Sequence, residues 1–166
     1  PLAPASPEPS ASATLWLLSV WTRKAAKNWP LEHWDLLLQQ LLDQGVECAV
    51  LLAPDGDEAF AQFRARWEGR VGFVSGSLGQ IADTVRTVAG VIATDNFLGH
   101  MAGYYGKPVV WINMVSPAAQ VMPRGPRTIE VAPERVGPGE AAGAAGMAIV
   151  TVEAVRRAFD AARAPG

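Results

Sequence analysis

The stretch Gly90–Asn113, GVIATDNFLGHMAGYYGKPVVWIN, decides the fold class. It consists of an apolar run that ends at Asp95, a segment that closes at Gly106, and a second apolar run that begins at Pro108. Short runs that are apolar throughout are typical of strands buried on both faces, and two of them joined by a helix are typical of a parallel sheet. The stretch therefore predicts a strand–helix–strand unit of an α/β fold.

The same alternation extends through the chain in both directions. Other apolar runs of strand length are followed by segments whose apolar residues recur at helical spacing. The predicted strands are Leu15–Val20, Val46–Ala53, Val71–Gly76, Gly90–Asp95, Pro108–Asn113 and, as a sixth, Thr128–Ala132. We expect an α/β fold in which a parallel sheet of five to six strands is covered by helices on both faces.

Characteristic residues mark where several helices begin and end. Pro30 stands where the first turn of a helix would begin, and Asn28 upstream is a candidate cap for that helix. Gly45 ends the same helix, because glycine readily adopts the conformation that follows a last helical turn. Thr151 is the predicted cap of the closing helix. The Gly/Ala/Pro-rich segment Pro133–Gly146 is predicted to be a loop.

Length and composition indicate one folded domain after a short arm. The chain has 166 residues, of which 49% are hydrophobic and 18% are charged, and this is typical of a globular domain with a large core. Residues 1–14, PLAPASPEPSASAT, have little to bury, so we expect a linker or disordered arm there and a folded domain at 15–166. Such an arm usually joins two folded parts.

Charge and residue counts disfavour several classes of partner. The formal net charge of −2 gives no electrostatic argument for binding nucleic acid or an anionic membrane. The single cysteine, Cys48, lies in an apolar run and the two histidines form no HExxH or HxH pattern, so we expect no metal. No apolar run approaches the ~20 residues of a membrane span, and no signal-peptide pattern is present. We expect a reducing, cytoplasmic compartment.

Ligands of parallel sheets bind beyond the carboxyl ends of the strands, where loops lead into helix N-termini. That rule selects the segments Trp21–Asn28, Pro54–Glu58, Ser75–Leu78 and Asp95–His100. The first carries the cations Arg23, Lys24 and Lys27 just before a helix, where positive charge opposes the helix dipole. A bound anion would offset that charge, so we favour an anion site over a solvated basic loop.

The segment after Asp95 has a similar arrangement. Either Asp95 or Asn96 would cap the following helix, and backbone N–H groups would then be free to meet a phosphate. Those groups belong to Phe97, Leu98 and Gly99. His100, one turn into the helix, could donate to a phosphate oxygen or hold Asp95 in place. From local chemistry alone, a plain capped turn explains the same residues equally well.

Carboxylates beyond the second strand are a third candidate. Glu58, with Asp55 and Asp57 beside it, could accept hydrogen bonds from ribose hydroxyls, although a solvated turn explains these residues as well. The sequence contains no GxxxxGK[ST] phosphate loop, no GxGxxG dinucleotide fingerprint and no GxSxG nucleophile elbow. A nucleotide site in this chain must therefore be built without those motifs.

Three segments, taken in order, carry a family resemblance. Lys27–Leu41, KNWPLEHWDLLLQQL, looks like the pattern K-x-W-P-x-e-x-(f/w), and Thr94–Ile112, TDNFLGHMAGYYGKPVVWI, looks like nDsGpmHlAaalgkPvvalfg. Thr151–Phe159, TVEAVRRAF, looks like a closing helix in which a v-e-x-V run is common. Together they resemble the C-terminal domain of the glycosyltransferase 9 (ADP-heptose:lipopolysaccharide heptosyltransferase) family, over roughly Leu15–Ala162.

The resemblance implies one half of a GT-B fold, in which two Rossmann-like domains face each other across a cleft and the C-terminal one binds a nucleotide-sugar donor. It implies that Lys27 contacts the phosphates or sugar of the donor and that Asp95 hydrogen-bonds sugar hydroxyls. The backbone of Asn96–Gly99 would cradle the pyrophosphate, with His100 nearby. The family is metal-independent, so the resemblance implies no cofactor besides the donor.

The resemblance further implies that Glu58 holds the ribose and that Ser75 and Gly76 meet the base. This chain departs from the family pattern at two places. Phe97 stands where a glycine is usual, which would narrow the phosphate pocket. The segment Trp111–Gln120, WINMVSPAAQ, replaces the usual family pattern after the fifth strand, so the resemblance implies no ligand contacts for that loop.

Two hypotheses about function follow. The first is the donor-binding half of an inverting, metal-independent glycosyltransferase, with the acceptor site and catalytic base in an N-terminal domain upstream. The whole enzyme would then serve bacterial lipopolysaccharide biosynthesis, in the cytoplasm or peripherally at the inner membrane, while the isolated chain would bind donor without transferring sugar. The second is a non-catalytic interaction module that keeps the fold and has lost the ligand.

Overall fold

The computed structural model describes residues 14–54, 56–113, 122–133 and 150–164. The predictions for the arm before Thr14, for Asp55, for most of the loop after Asn113 and for nearly all of the Gly/Ala/Pro-rich segment lie outside the described residues. The division into an arm and a folded domain therefore stays a prediction.

Within the described residues, six parallel strands form one sheet, which confirms the predicted fold class. The strands are β1 Trp16–Ser19, β2 Cys48–Leu51, β3 Gly72–Val74, β4 Gly90–Thr94, β5 Val109–Ile112 and β6 Thr128–Val131. Their order is β3-β2-β1-β4-β5-β6, so the chain builds outward from β1 and then returns to the other side of β1 with β4. This reversal of strand order opens a crevice beyond the carboxyl ends of β1 and β4.

Helices cover both faces of the sheet, as the sequence predicts. The described α-helices are α1 Leu31–Asp43, α2 Glu58–Trp67, α3 Leu78–Thr87, α4 Phe97–Tyr104 and α5 Val152–Arg163. Successive strand residues point to opposite faces, so Trp16 and Leu18 join the hydrophobic core under α1, α2 and α5. Leu17, between them, joins the core under α3 and α4.

The glycines that were expected to end helices do so. Gly45 and Gly106 follow α1 and α4 with φ angles of 72° and 68°, a conformation that costs other residues free energy. The next N–H group in each case reaches back over the turn, from Val46 to the carbonyl of Leu41 at 3.0 Å and from Lys107 to that of Ala102 at 2.9 Å. These bonds satisfy carbonyls that the helix leaves unpaired.

Asn28 does not cap α1, so that prediction is wrong. The cap position is held by Pro30, which makes no side-chain capping bond. The side chain of Asn28 instead accepts a hydrogen bond from the N–H of Thr22 at 2.6 Å and donates to the carbonyl of Thr22 at 3.2 Å. Asn28 therefore closes the loop after β1 rather than beginning the helix.

At the centre of the sheet, Trp16 of β1 lies beside its register partner, Gly90 of β4. A Cβ atom at residue 90 would lie 2.6 Å from Cη2 of Trp16 and 3.0 Å from the carbonyl oxygen of Pro108. Trp16 has little room to move, because it is buried and packs edge-on against Phe159 with ring centroids 4.7 Å apart. Close packing, rather than backbone conformation, requires glycine at position 90.

We expect Gly90→Ala to lower the free energy of unfolding by about 1–3 kcal/mol, because overpacking a rigid core costs that much. Gly79→Ala in α3 is the matched control, since its added Cβ would approach nothing closer than Oγ of Ser77 at 3.8 Å. Alanine is the better helix former, so the control should gain about 0.5–1 kcal/mol. Urea unfolding measures both. A Gly90→Ala variant as stable as the parent would show that Trp16 can move aside.

Candidate functional site

An ion pair joins the loops that leave β1 and β4. Lys27 ends a single 3-10 turn, Ala25–Lys27, in the loop after β1, and Asp95 directly follows β4. The Nζ atom of Lys27 contacts Oδ2 of Asp95. The lysine side chain is 22% exposed and the aspartate side chain 10% exposed, so the pair is largely shielded from water. The two residues that the sequence singled out in separate segments are therefore brought together at the strand-order reversal.

Asp95 supplies the negative charge that the basic loop was expected to take from a bound anion. The opposition between Lys27 and the helix dipole is thus offset within the chain itself. Arg23 and Lys24, in contrast, have exposed side chains. The loop that carries these cations is held in shape by the bonds between Asn28 and Thr22, and by a bond from Oγ1 of Thr22 to the carbonyl of Lys24 at 2.9 Å.

Asn96, rather than Asp95, caps α4. Its Oδ1 atom accepts a hydrogen bond from the N–H of Leu98 at 3.0 Å, and its Nδ2 atom donates to Oγ of the buried Ser19 at 2.7 Å. The N–H group of Leu98 is therefore occupied, contrary to the expectation that it would be free for a phosphate. His100 is exposed, and Lys27 contacts Asp95.

Gly99 makes room for another part of the chain. It is buried, and a Cβ atom there would lie 3.2 Å from Cγ of Pro123 and 3.8 Å from the ring of Trp111. One turn later, a Cβ atom at Gly103 would lie 2.7 Å from the carbonyl oxygen of Arg124. The small residues of α4 thus permit close approach of a neighbouring segment.

A cavity of about 760 Å³ lies beyond the carboxyl ends of β1, β2 and β3. Its volume is within the range of about 300–1,000 Å³ that is usual for small-molecule sites. Its lining residues are Ser19, Trp21, Thr22, Arg23, Leu51, Leu52, Ala53, Pro54, Ser75, Gly76, Ile81, Asn96 and Phe97. Phe97 is 44% exposed and the cavity keeps this volume with its side chain in place, so Phe97 borders the cavity without closing it.

The predicted site residues fall into three groups around this cavity. Those that line it are Arg23, Ser75, Gly76, Asn96 and Phe97. Those that are partly or fully buried and do not line it are Lys27, Asp95, Leu98 and Gly99. Those with exposed side chains outside its lining are Lys24, Glu58 and His100. Glu58 contacts Gln62, whose Nε2 lies 3.4 Å from Oε1 of the glutamate.

Trp21 and Asp57 form a contact that the sequence pattern does not predict. The indole Nε1 of Trp21 donates to Oδ2 of Asp57 at 2.7 Å, while Oδ1 of Asp57 caps α2 by accepting from the N–H of Phe60 at 2.9 Å. These bonds, first the one from Phe60 and then the one from Trp21, hold the pKa of Asp57 below its ordinary value. The sequence does contain a signal that Trp21 belongs to the site, because this residue lies just beyond the first predicted strand, at the edge of the sheet where ligands bind.

Other kinds of site receive little support from the described residues. Burial raises the pKa of the Cys48 thiol to about 12, so this cysteine stays a thiol and is not a nucleophile. No group of three or more His, Cys, Asp or Glu side chains in the described ranges is placed to hold a metal ion. In the same ranges, no helix has the length and apolar character needed to cross a membrane.

Comparison with known proteins gives a family match. A family model described as "Glycosyltransferase family 9 (heptosyltransferase)" matches residues 5–135. A search of curated proteins returned no significant match. The family match covers the loops after β1 and β4 and the whole cavity lining.

Solved structures share the fold at low sequence identity. E. coli ADP-heptose lps heptosyltransferase II matches 90% of this chain with 18% identity and a TM-score of 0.75. E. coli heptosyltransferase WaaC with ADP matches 93% with 18% identity and a TM-score of 0.75, and a family 9 glycosyl transferase from Veillonella parvula matches 90% with 16% identity and a TM-score of 0.76. In each case this chain covers only 46% of the other chain, so it spans about half the length of these proteins.

We expect the Lys27–Asp95 pair to contribute measurably to stability, because it is shielded from solvent. Removing one partner of a fully buried pair costs about 3–5 kcal/mol, and the partial exposure of Lys27 should reduce this to about 1–3 kcal/mol for Lys27→Met or Asp95→Asn. The free energy of unfolding lost by the double variant should be smaller than the sum of the two single losses, by about 1 kcal/mol or more. Denaturant unfolding of all three variants measures this coupling.

Asp83→Asn is the control for that cycle, since it removes a carboxylate whose side chain is 76% exposed and paired with Arg86. Exposed pairs contribute little, so the change should stay below about 1 kcal/mol. A coupling energy near zero between Lys27 and Asp95 would contradict a stabilising role for their contact.

Asp57 should make stability depend on pH in the acid range. Its folded pKa lies below the unfolded value of about 3.9, so its stabilising contribution is present above that pH and is lost as the pH falls through the folded pKa. We therefore expect Asp57→Asn to lose stability less steeply than the parent below about pH 4. Unfolding free energies at several acidic pH values test this, with Asp83→Asn as the control. Parallel curves for Asp57→Asn and the parent would refute it.

Proposed function

The chain belongs to glycosyltransferase family 9 (heptosyltransferase), and from this premise we propose that it is the donor-binding half of an inverting, metal-independent GT-B glycosyltransferase. The observation that supports this most is the cavity at the strand-order reversal, bordered by the N-terminus of α4 and by the cationic loop after β1. Such a position is where parallel sheets bind nucleotides. The donor proposed is a nucleoside-diphosphate sugar.

The diphosphate would bind at the end of the cavity formed by the β1 and β4 loops. Arg23, an exposed residue, lines this end, and α4 begins there at Phe97. A helix N-terminus carries partial positive charge, and a lysine ammonium has three donors, so Lys27 can keep its bond to Asp95 and still donate to a phosphate oxygen. Asp95 would accept hydrogen bonds from hydroxyls of the donor sugar.

In the proposed reaction, an acceptor hydroxyl attacks the anomeric carbon while the bond from that carbon to the phosphate oxygen breaks. The nucleoside diphosphate leaves with the bonding electron pair, and a general base takes the proton of the acceptor hydroxyl. Lys27, Arg23 and the N-terminus of α4 would stabilise the charge that develops on the departing diphosphate. These groups favour the transition state because the charge grows as the bond breaks.

The base and the acceptor site are proposed to lie in an N-terminal domain upstream. The length of this chain, about half that of the similar solved structures, supports a second domain as its partner. The resemblance to heptosyltransferases supports inversion without a metal, a role in lipopolysaccharide assembly and a location in the cytoplasm. By itself the chain should bind donor and transfer nothing.

We expect isothermal titration calorimetry to detect a nucleoside diphosphate binding this chain with a dissociation constant tighter than about 1 mM. ADP is the first probe, because one similar structure is that of a heptosyltransferase with ADP, and UDP and GDP complete the set. A folded chain that binds none of them would contradict the proposal. It would favour an interaction module that has lost its ligand.

Two neighbouring cations provide a matched pair for the same titration. Arg23 lines the cavity and Lys24 does not, although both side chains are exposed in one loop. Arg23→Ala should weaken binding about tenfold, which is the effect of one charge-assisted hydrogen bond. Lys24→Ala should weaken it about twofold or less, because salt screens an exposed charge that makes no contact. Equal effects would indicate attraction by net charge rather than a built site.

A further inference from the structure

The cavity has two chemically different ends. The loops after β1 and β4 contribute Thr22, Arg23 and Asn96, of which Arg23 carries a positive charge that can bond to an anion. The end of β2 and the segment after it contribute an apolar wall, Leu51–Pro54, which Ile81 of α3 extends, and the segment after β3 adds Ser75 and Gly76. None of the described lining residues from β2, β3 or α3 carries a charge. That end is suited to a neutral group and not to a phosphate.

Trp21 extends from the charged end towards the apolar end. It follows β1 in sequence, yet its indole Nε1 is bonded to Asp57, which lies beyond β2 at the start of α2. Trp21 packs on the core under α1 and α2 and is also one of the residues that line the cavity. Trp21 is the only half-buried tryptophan, since the other five of the six are buried, namely Trp16, Trp29, Trp34, Trp67 and Trp111.

The indole is oriented by contacts within the protein. Oδ1 of Asp57 accepts the capping bond from the N–H of Phe60, and Oδ2 accepts the bond from Nε1 of Trp21. Rotating the indole would break a charge-assisted hydrogen bond. A rigid aromatic surface binds a planar ring at a lower entropic cost than a mobile one.

We infer that Trp21 is the residue on which the nucleobase of the donor binds, and that Asp57 is the positioning residue that holds the indole there; this rests on the proposed function. The ligand class is a neutral planar heterocycle attached to a diphosphate. Both oxygens of Asp57 are engaged within the protein, so Asp57 acts through Trp21.

The test compares ADP, UDP and GDP with inorganic pyrophosphate, which has the charge but no base. Trp21→Leu removes the aromatic ring. It should lower the affinity for the tightest-binding nucleotide about tenfold and leave the affinity for pyrophosphate unchanged. Trp21→Phe keeps a ring and should cost about threefold or less. If the wild-type chain binds no nucleotide, the proposed function and this inference both fail. If it binds and Trp21→Leu binds equally well, or loses pyrophosphate to the same extent, only this inference fails.

Trp67→Phe is the matched control, because Trp67 makes the same kind of bond, from Nε1 to Oδ1 of Asp35 at 2.5 Å, but is buried away from the cavity. It should leave nucleotide affinity unchanged. A fall as large as that of Trp21→Leu would overturn the inference, since any lost tryptophan–aspartate bond would then suffice.

Tryptophan fluorescence provides a second test, because nucleotide would not change the quenching of Trp21 if that residue only stabilised the fold. Acrylamide should quench Trp21 more than the five buried tryptophans, and bound nucleotide should protect it. Asp57→Asn, which can still cap α2, should make Trp21 more accessible and weaken nucleotide binding about threefold. Quenching that is unaffected by nucleotide in the wild-type chain, with binding confirmed by calorimetry, would overturn the inference.

Discussion

The pairing of β1 with β4, buried on both faces, is the constraint on which the rest of the structure depends. Strands in that position cannot carry exposed polar groups along their length. Polar residues therefore enter only at their carboxyl ends, as the buried Ser19 and Thr94. Asn96 bonds to Ser19 and also caps α4, so the end of one strand fixes the start of the helix that follows the other. The position of the site is therefore set by the packing of these two strands in the core.

Charge at this junction is balanced within the chain, which limits the ligands that suit it. A bare anion that pulled Lys27 away would leave Asp95 shielded from water without its bonded cation, at a cost of a few kcal/mol. A ligand that offers phosphate oxygens to Lys27 and hydroxyl groups to Asp95 avoids that cost, because it can leave the pair in place. A nucleotide sugar carries both kinds of group. Under the proposed function, the ion pair therefore favours a whole donor over free phosphate.

The fold could be predicted from the sequence because burial and helix ends leave local signals. Apolar runs gave all six strands to within two residues at each end, and Gly45 and Gly106 end their helices as expected. Features that depend on where distant segments meet could not be predicted in the same way. Lys27 and Asp95 were each identified, but their contact joins residues 68 positions apart. Asn28 fits the pattern of a cap, and only the path of the loop brings it to Thr22.

Trp21 shows that the hydrogen bond of a side chain does not by itself identify a ligand-binding site. Two tryptophans of this chain donate to aspartates, Trp21 to Asp57 at the start of α2, and Trp67, at the end of α2, to Asp35 of α1. The second bond joins α1 to α2 and is explained by packing, because Trp67 is buried. The first has the same atoms at a similar distance, but it lies at the carboxyl edge of the sheet beside an open cavity. What distinguishes Trp21 from Trp67 is its position relative to the strand-order reversal. That position follows from the fold and not from the local sequence.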